Sequence, residues 1–208
     1  MPHPYRTLSA CALVAATVFT GCADDTSPAD SRSTADAGET ADAGETADSA
    51  DVEFARAMIP HHEQALEMAR MVPGRDVSPD LVDLAAEVEA AQQPEIDTLT
   101  ALLRRWDAAP PDAGRFPAGR PTPPGTAPMS GMMSAGDMTS LERSSGPAFE
   151  RRWLVMMVEH HEGAVTMAER ELANGTNSEA RALAEEIIAA QRAEIDRMND
   201  MLHRGDHG

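Results

Sequence analysis

The sequence contains no lysine, only two cysteines and very few aromatic residues. All 17 basic residues are arginines, and 35 acidic residues give the chain a formal net charge of −18. Such a chain should repel nucleic-acid phosphates, so we expect no nucleic-acid partner, whereas attraction of cations is compatible with the charge. Aromatic residues make up 3% of the chain. β-Branched runs are also absent, which argues against a β-sandwich or barrel and favours helices.

Long apolar runs are missing after residue 21, so no later stretch has the roughly 18 apolar residues of a membrane-spanning helix. Before that point, Arg6 precedes an apolar run over residues 8–20, which is followed by Gly21 and Cys22. This arrangement resembles a bacterial lipoprotein signal. We expect residues 1–21 to be removed and Cys22 to carry a lipid, which makes the chain an exported, cell-surface or periplasmic lipoprotein. Ordinary secretion with a free Cys22 thiol is the alternative.

Residues 22–50 are acidic and of low complexity, with the hexapeptide ADAGET repeated in tandem. Such composition predicts a disordered spacer between the lipid anchor and the folded part. Cys11 lies in the removed segment, and Cys22 would be lipidated. Any soft-metal chemistry must then come from methionine and histidine.

An internal duplication organises the rest of the chain. With an offset of 99 residues, the stretch 54–105 aligns with 153–204 without a gap, and 18 of 52 positions are identical. The two repeats span residues 51–106 and 147–208, and residues 107–146 form a connection that contains Pro, Gly and Met.

Each repeat reads as two helices. The first helix runs from about Asp51 to a stop at Pro73-Gly74, and the second begins with Ser78 as N-cap and Pro79 in the first turn. Pro60 and Pro94 predict kinks rather than breaks. Two such hairpins joined by a long crossover predict an all-α, ferritin-like four-helix bundle.

Helical spacing places several polar side chains on the apolar faces. Both paired histidines of each repeat face inward, as do one glutamine and one glutamate of each partner helix. These residues are His61, His62, Gln92, Glu95, His160, His161, Gln191 and Glu194. Buried charges need partners. Two interpretations stay open: a hydrogen-bonded network in which each Glu orients a His, or a metal site in which His is the ligand and Glu or Gln supports it.

Histidine and methionine without thiols are a donor set that suits copper, because thioethers select Cu(I) and imidazoles accept Cu(II); zinc and iron are alternatives. Met58 and Met157 lie one turn before His61 and His160. Four methionines of the crossover form a possible auxiliary copper-binding cluster: Met129, Met132, Met133 and Met138. Neither histidine pair has the Glu-x-x-His pattern of di-iron bundles. No hydrolase motif is present either, so no catalytic residue is predicted.

The segments MIPHHEQALEMA and MMVEHHEGAVTMA, each followed by a helix with Gln-x-x-Glu-Ile, resemble the domain-of-unknown-function 305 family over about residues 51–204. The resemblance implies an exported, ferritin-like protein built from two similar two-helix repeats. The family includes periplasmic copper-binding proteins implicated in copper resistance. Carried over by position, the resemblance implies as ligands the two histidine pairs together with Met58, Met68, Met157 and Met167.

We therefore expect a lipid-anchored, extracytoplasmic protein that binds copper as a buffer or carrier, with the membrane and a copper-handling protein as partners. One alternative is a structural or partner-binding module whose inward His/Glu/Gln network only specifies packing. A second alternative is a metal-dependent redox enzyme.

Overall fold

The computed structural model describes residues 46–111 and 130–205. The expected signal segment, the expected lipidation site at Cys22, most of the expected spacer and Met129 lie outside these ranges. The described residues form five helices: α1 Ser49–Arg70, α2 Pro79–Arg105, α3 Ala135–Glu142, α4 Gly146–Asn174 and α5 Ser178–Gly205. No strand occurs in the described ranges. The expectation of an all-α bundle of two helical hairpins is confirmed.

The helix boundaries follow the predicted signals closely. Asp48 is the N-cap of α1 and forms a capping box, in which its side chain accepts hydrogen bonds from the backbone N–H groups of Ala50 and Asp51. Ser78 is the N-cap of α2 and Pro79 occupies the first turn, as predicted. Gly74 has φ +80° in the turn after α1, a conformation that glycine adopts without strain. Both α1 and α2 continue as helix through Pro60 and Pro94.

The two hairpins meet mainly through their first helices. Helix α2 packs against α1, α5 packs against α4, and α1 and α4 contact each other across the centre of the bundle. Contact between α2 and α5 is minor. The centre of the molecule is therefore the interface between the two histidine-bearing helices.

The duplication is visible in the way each hairpin caps the other. Asp51 Oδ1 accepts from the backbone N–H groups of Thr176 and Asn177, 3.0 Å away in each case, at the start of α5. Glu150, the counterpart of Asp51, accepts from the N–H and hydroxyl groups of Ser78 at 2.8 and 2.6 Å, at the start of α2. These carboxylates satisfy helix N-terminal donors that would otherwise lack partners.

Helix α3 lies within the segment 107–146, for which the sequence pattern predicts only a connection. Ser134 starts this helix with a capping box. Met138 and Leu141 are buried in the core. Arg75 holds the C-terminal side of α3, because its guanidinium donates to the backbone oxygens of Glu142 and Ser144. The C-terminal part of this segment is therefore packed structure.

The buried apolar side chains form two clusters. Along α1, residues 54–59 and Leu66 belong to one cluster, and Ala65, Met68 and Ala69 to the other; along α4, residues 164–168 and 149–157 divide in the same way. The histidine pairs fall between the two clusters on both helices. No helix in the described ranges is long and apolar enough to cross a membrane.

Candidate metal centre

The four paired histidines form one buried cluster at the α1–α4 interface. All four have no exposed surface. The His61 and His160 ring centroids are 3.8 Å apart with an interplanar angle of 38°, and the His160 and His161 centroids are 6.3 Å apart. The two repeats thus contribute to one site.

The outer histidine of each repeat lies beside the glutamate of its partner helix. His62 Nε2 is 2.8 Å from Glu95 Oε2, and His161 Nε2 is hydrogen-bonded to Glu194 Oε2 at 2.6 Å. The glutamate side chains are 16% and 17% exposed, whereas both histidines are fully buried. Each glutamate therefore stands between solvent and the histidine cluster.

His61 has a different oxygen partner. Its Nε2 lies 3.1 Å from the backbone oxygen of Ser130. A carbonyl oxygen can only accept, so Nε2 carries the proton. The tautomer of His61 is therefore Nε2–H, which leaves a lone pair on Nδ1.

The cluster favours neutral imidazoles at its centre. Burial, followed by the nearby His62 and His161, lowers the pKa of His61 to about 3, although the Ser130 contact opposes this shift. Burial and the three other histidines lower the pKa of His160 well below its ordinary value. Neutral imidazole is the form that binds metal ions.

Several buried polar atoms of this region have no hydrogen-bond partner among the described residues. They include Nδ1 of all four histidines, Nε2 of His62 and His160, and the side-chain amides of Gln92 and Gln191. The two amides are 2% and 3% exposed. Buried polar atoms are normally paired, so the unpartnered ring nitrogens fit a polar or metallic ligand.

Methionines flank the cluster on both sides. Met58 and Met157, each one turn before the inner histidine, are fully buried in opposite apolar clusters. Met68 is fully buried, and Met167 is partly buried against the cluster that contains Met58. The methionines predicted as ligands therefore lie on both sides of the histidine pairs along α1 and α4.

The three described crossover methionines do not form a separate exposed group. Met133 and Met138 are 7% and 4% exposed and pack in the core, whereas Met132 is partly exposed. Met129 lies outside the described residues. Their burial gives Met133 and Met138 a packing role that the sequence pattern does not indicate.

Gln64 also belongs to this region, and the sequence analysis did not predict a role for it. It is 5% exposed, and its amide makes two hydrogen bonds with the backbone of Met133. Two signals point to it in the sequence: it lies three residues after His61, and the second repeat has Gly163 in its place.

Within residues 46–111 and 130–205, no group of three or more His, Cys, Asp or Glu side chains is placed to hold a metal ion. The donors that are present are imidazole nitrogens and thioether sulfurs. Soft and borderline metal ions accept donors of these two types.

A second buried acidic group lies at the end of α4. Glu171 is 2% exposed, and burial together with the neighbouring Asp51 raises its pKa to about 8. Burial acts to raise the pKa of Asp51, but its hydrogen bonds to Asp48, Glu171, Asn177 and Thr176 prevail and lower it. These residues lie where Asp51 of α1 caps the start of α5, and they are separate from the histidines in sequence.

The protein is thus an all-α bundle of two repeated helical hairpins with a buried cluster of paired histidines between them. The chain belongs to the family described as Domain of unknown function (DUF305), which it matches over residues 51–202. The comparison with curated proteins gives no match.

Solved structures show the same fold. A DUF305 fragment from Deinococcus radiodurans is 31% identical with a TM-score of 0.66, covering 76% of this chain and 99% of its own. A putative secreted DUF305 protein from Streptomyces coelicolor is 27% identical with a TM-score of 0.65, covering 76% and 94%. CopM in its Cu(II)-bound form is 28% identical with a TM-score of 0.62, covering 74% and 96%. CopM structures also exist in Cu(I)-bound and Ag-bound forms.

Proposed function

We propose that this protein is an extracytoplasmic, lipid-anchored copper-binding protein that buffers or carries the ion and is not an enzyme. The observation that carries the proposal is the buried cluster of four histidines, whose Nδ1 atoms have no hydrogen-bond partner among the described residues. The similarity to CopM, which is known in Cu(I)-, Cu(II)- and Ag-bound forms, supports copper as the ion.

The donor chemistry further supports a soft ion. Imidazole nitrogens of His61 and His160 lie together at the interface, and Met58 and Met157 precede them by one helical turn. Cu(I) accepts thioether and imidazole ligands, whereas zinc in proteins is bound by Cys, His, Asp and Glu side chains and not by thioethers. The copper ion is the cargo in this proposal.

The location rests on the lipoprotein-like N-terminus and on the putative secreted relative from Streptomyces coelicolor. A lipid at Cys22 would hold the protein at the outer face of a membrane, and the acidic spacer that precedes the folded part would act as a tether. There the protein would exchange copper with a copper-handling protein.

The first experiment is competitive metal loading of the purified protein. Cu(I) under anaerobic reductant, Cu(II), Zn(II) and Fe(II) are each offered, and retained metal is measured after buffer exchange against a chelator. We expect selective retention of copper, abolished in the double variant His61→Ala/His160→Ala and unchanged in His203→Ala, where the histidine is exposed.

Three outcomes separate the proposal from its alternatives. Retention of no metal by the wild type would contradict it and favour a structural or partner-binding module. Retention of zinc or iron in preference to copper would contradict the choice of ion. Catalytic oxidation of Fe(II) or Cu(I) under oxygen would favour a redox enzyme.

The thioether ligands have their own test. Met58→Leu and Met157→Leu keep the apolar volume nearly constant, so the fold should persist. We expect Cu(I) retention to fall while Cu(II) retention changes less, because Cu(I) prefers sulfur ligands. Met198→Leu is the matched control, since Met198 is fully buried in the same apolar cluster as Met157 but lies on α5 and is not a predicted ligand.

A further inference from the structure

The backbone at Ser130–Met133, the crossover cap, lies across both histidine-bearing helices. At one end, the Ser130 oxygen contacts His61 Nε2 on α1. A Cβ built on Gly131 would come within 3 Å of backbone atoms of Glu159, His160 and Gly163 on α4. The cap therefore sits directly on the site where the two inner histidines meet.

Gln64 fixes the other end of the cap. Its Oε1 accepts from the Met133 N–H at 2.7 Å, and its Nε2 donates to the Met133 oxygen at 3.0 Å. One side chain thus satisfies both backbone polar groups of a buried residue, as a neighbouring β-strand would. This pair of bonds holds the cap in one register along α1.

Gly163 provides the space for the cap on α4. A Cβ at this position would lie 2.1 Å from the Ser130 oxygen and 2.8 Å from the Gly131 Cα atom. These are backbone atoms, so the clash cannot be relieved by a side-chain rotation. Gly131 itself has φ +78°, which glycine adopts readily.

The two positions are counterparts in the duplication, since 64 and 163 differ by the repeat offset of 99 residues. The surrounding residues His61-His62-Glu63 and Ala65 are identical to their counterparts in the second repeat, but Gln64 and Gly163 differ. Gln64 binds the Met133 end of the crossover cap, and Gly163 leaves room for its Ser130 end. The two repeats therefore differ at the position where each of them contacts this one segment.

We propose that Gln64 and Gly163 are positioning residues of the copper site. They hold the Ser130 oxygen against His61 Nε2, which fixes the proton on Nε2 and presents the Nδ1 lone pair to the ion. The effect on the metal rests on the proposed copper-binding function. The effect on the imidazole does not, because it concerns the metal-free protein.

The test has a spectroscopic part on metal-free protein. The two ring nitrogens of each histidine are followed by ¹⁵N NMR, in which protonated and unprotonated nitrogens have distinct shifts. In the wild type we expect His61 to show Nε2–H and an unprotonated Nδ1. Gln64→Leu removes both bonds to Met133, and Gly163→Ala displaces Ser130 by contact. Both should convert His61 to a mixture of tautomers.

The controls match each variant in residue type. Gln93→Ala changes an exposed glutamine of α2, and Gly136→Ala places a Cβ at ordinary contact distance from the Ser134 hydroxyl in α3. Neither should alter the His61 spectrum. Because Gln64→Leu keeps most of the buried volume, it reports on the cap even where Gly163→Ala impairs folding.

The second part measures Cu(I) affinity by competition with a chelator. Loss of the oxygen partner of a metal-bound histidine typically weakens metal binding about 10- to 100-fold. We expect this loss in both variants and no change in either control. An unchanged His61 tautomer in both variants, or an altered tautomer with wild-type affinity, would overturn the inference. A wild type that binds no Cu(I) would overturn the proposed function, whereas a tautomer change in the variants would still establish the positioning of His61.

Discussion

At the scale of single residues, the inner and outer histidines differ in what holds them. His61 is held by a backbone oxygen, whereas His62 and His161 lie beside carboxylates at 2.8 and 2.6 Å. A carboxylate behind an imidazole orients the ring and raises the basicity of the nitrogen that faces the metal. Glu95 and Glu194 should therefore support copper binding without contacting the ion.

This role predicts the behaviour of Glu95→Gln/Glu194→Gln. The amide keeps the shape of the side chain but removes its charge, so we expect copper affinity to fall about 10- to 100-fold with the fold retained. The measurement is chelator competition, with circular dichroism as the check on folding. Glu89→Gln, at an exposed ion pair with Arg70, is the control. If the double variant binds copper as tightly as Glu89→Gln, the two carboxylates serve only packing.

The buried acidic pair predicts a dependence of stability on pH. The pKa of Glu171 is about 8 in the folded protein against an ordinary 4.5, so the folded state retains a proton that the unfolded state releases. The free energy of unfolding should fall as pH rises through that interval. The lowered pKa of Asp51 acts oppositely: its contribution is present above its ordinary pKa of 3.8 and lost as pH falls through the folded value.

Glu171→Gln stays neutral and should remove the decline towards alkaline pH. We expect its Tm to change less than that of the wild type between about pH 5 and about pH 8. Thermal unfolding followed by circular dichroism measures this, with Glu162→Gln on the exposed face of α4 as control. Parallel Tm curves for wild type and Glu171→Gln would contradict the assignment.

Residue-level features were predictable where they depended on helical periodicity. The inward orientation of the histidines and of Gln92 follows from their spacing, and the burial of these side chains agrees. The role of Gln64 was not predictable in this way. It depends on the backbone of Met133, which is 69 residues away, and no local pattern specifies such a contact.

At the scale of helices, the interhairpin caps connect elements that are distant in the chain. Glu150 lies near the start of α4 and accepts two hydrogen bonds from Ser78 at the start of α2. Glu150→Ala should therefore destabilise the protein by about 1–2 kcal/mol, because it leaves helix N-terminal donors unpaired. Chemical denaturation measures the change. Glu162→Ala, in the same helix but exposed, should change stability by less than about 0.5 kcal/mol.

The four long helices were predictable because the repeat supplied each pattern twice and because Pro and Gly mark their ends. Helix α3 was not. It has eight residues, and its apolar residues Met138 and Leu141 are too few to establish a period. Its position depends on contacts with α4 and on Arg75, which only the tertiary structure brings together.

At the scale of the whole molecule, copper bound between α1 and α4 would link the two hairpins. A ligand that binds only the folded state, present at about 100 times its Kd, stabilises it by about 2.7 kcal/mol. For a domain of this size that corresponds to a Tm increase of about 5–10 °C. Thermal unfolding with and without Cu(I) measures the shift. The double variant His61→Ala/His160→Ala should show none, and an equal shift in that variant would indicate binding elsewhere.

The crossover cap has a consequence for how the protein was assembled. It contacts the same position of both repeats, through the Gln64 amide on α1 and beside the Gly163 Cα atom on α4. In a symmetric dimer of one hairpin, both subunits would carry the same residue at this position, so the amide and the open space could not both be present. Fusion of the hairpins into one polypeptide removes this conflict. It allows one half to retain a glutamine and the other a glycine, a division of labour that identical subunits cannot achieve.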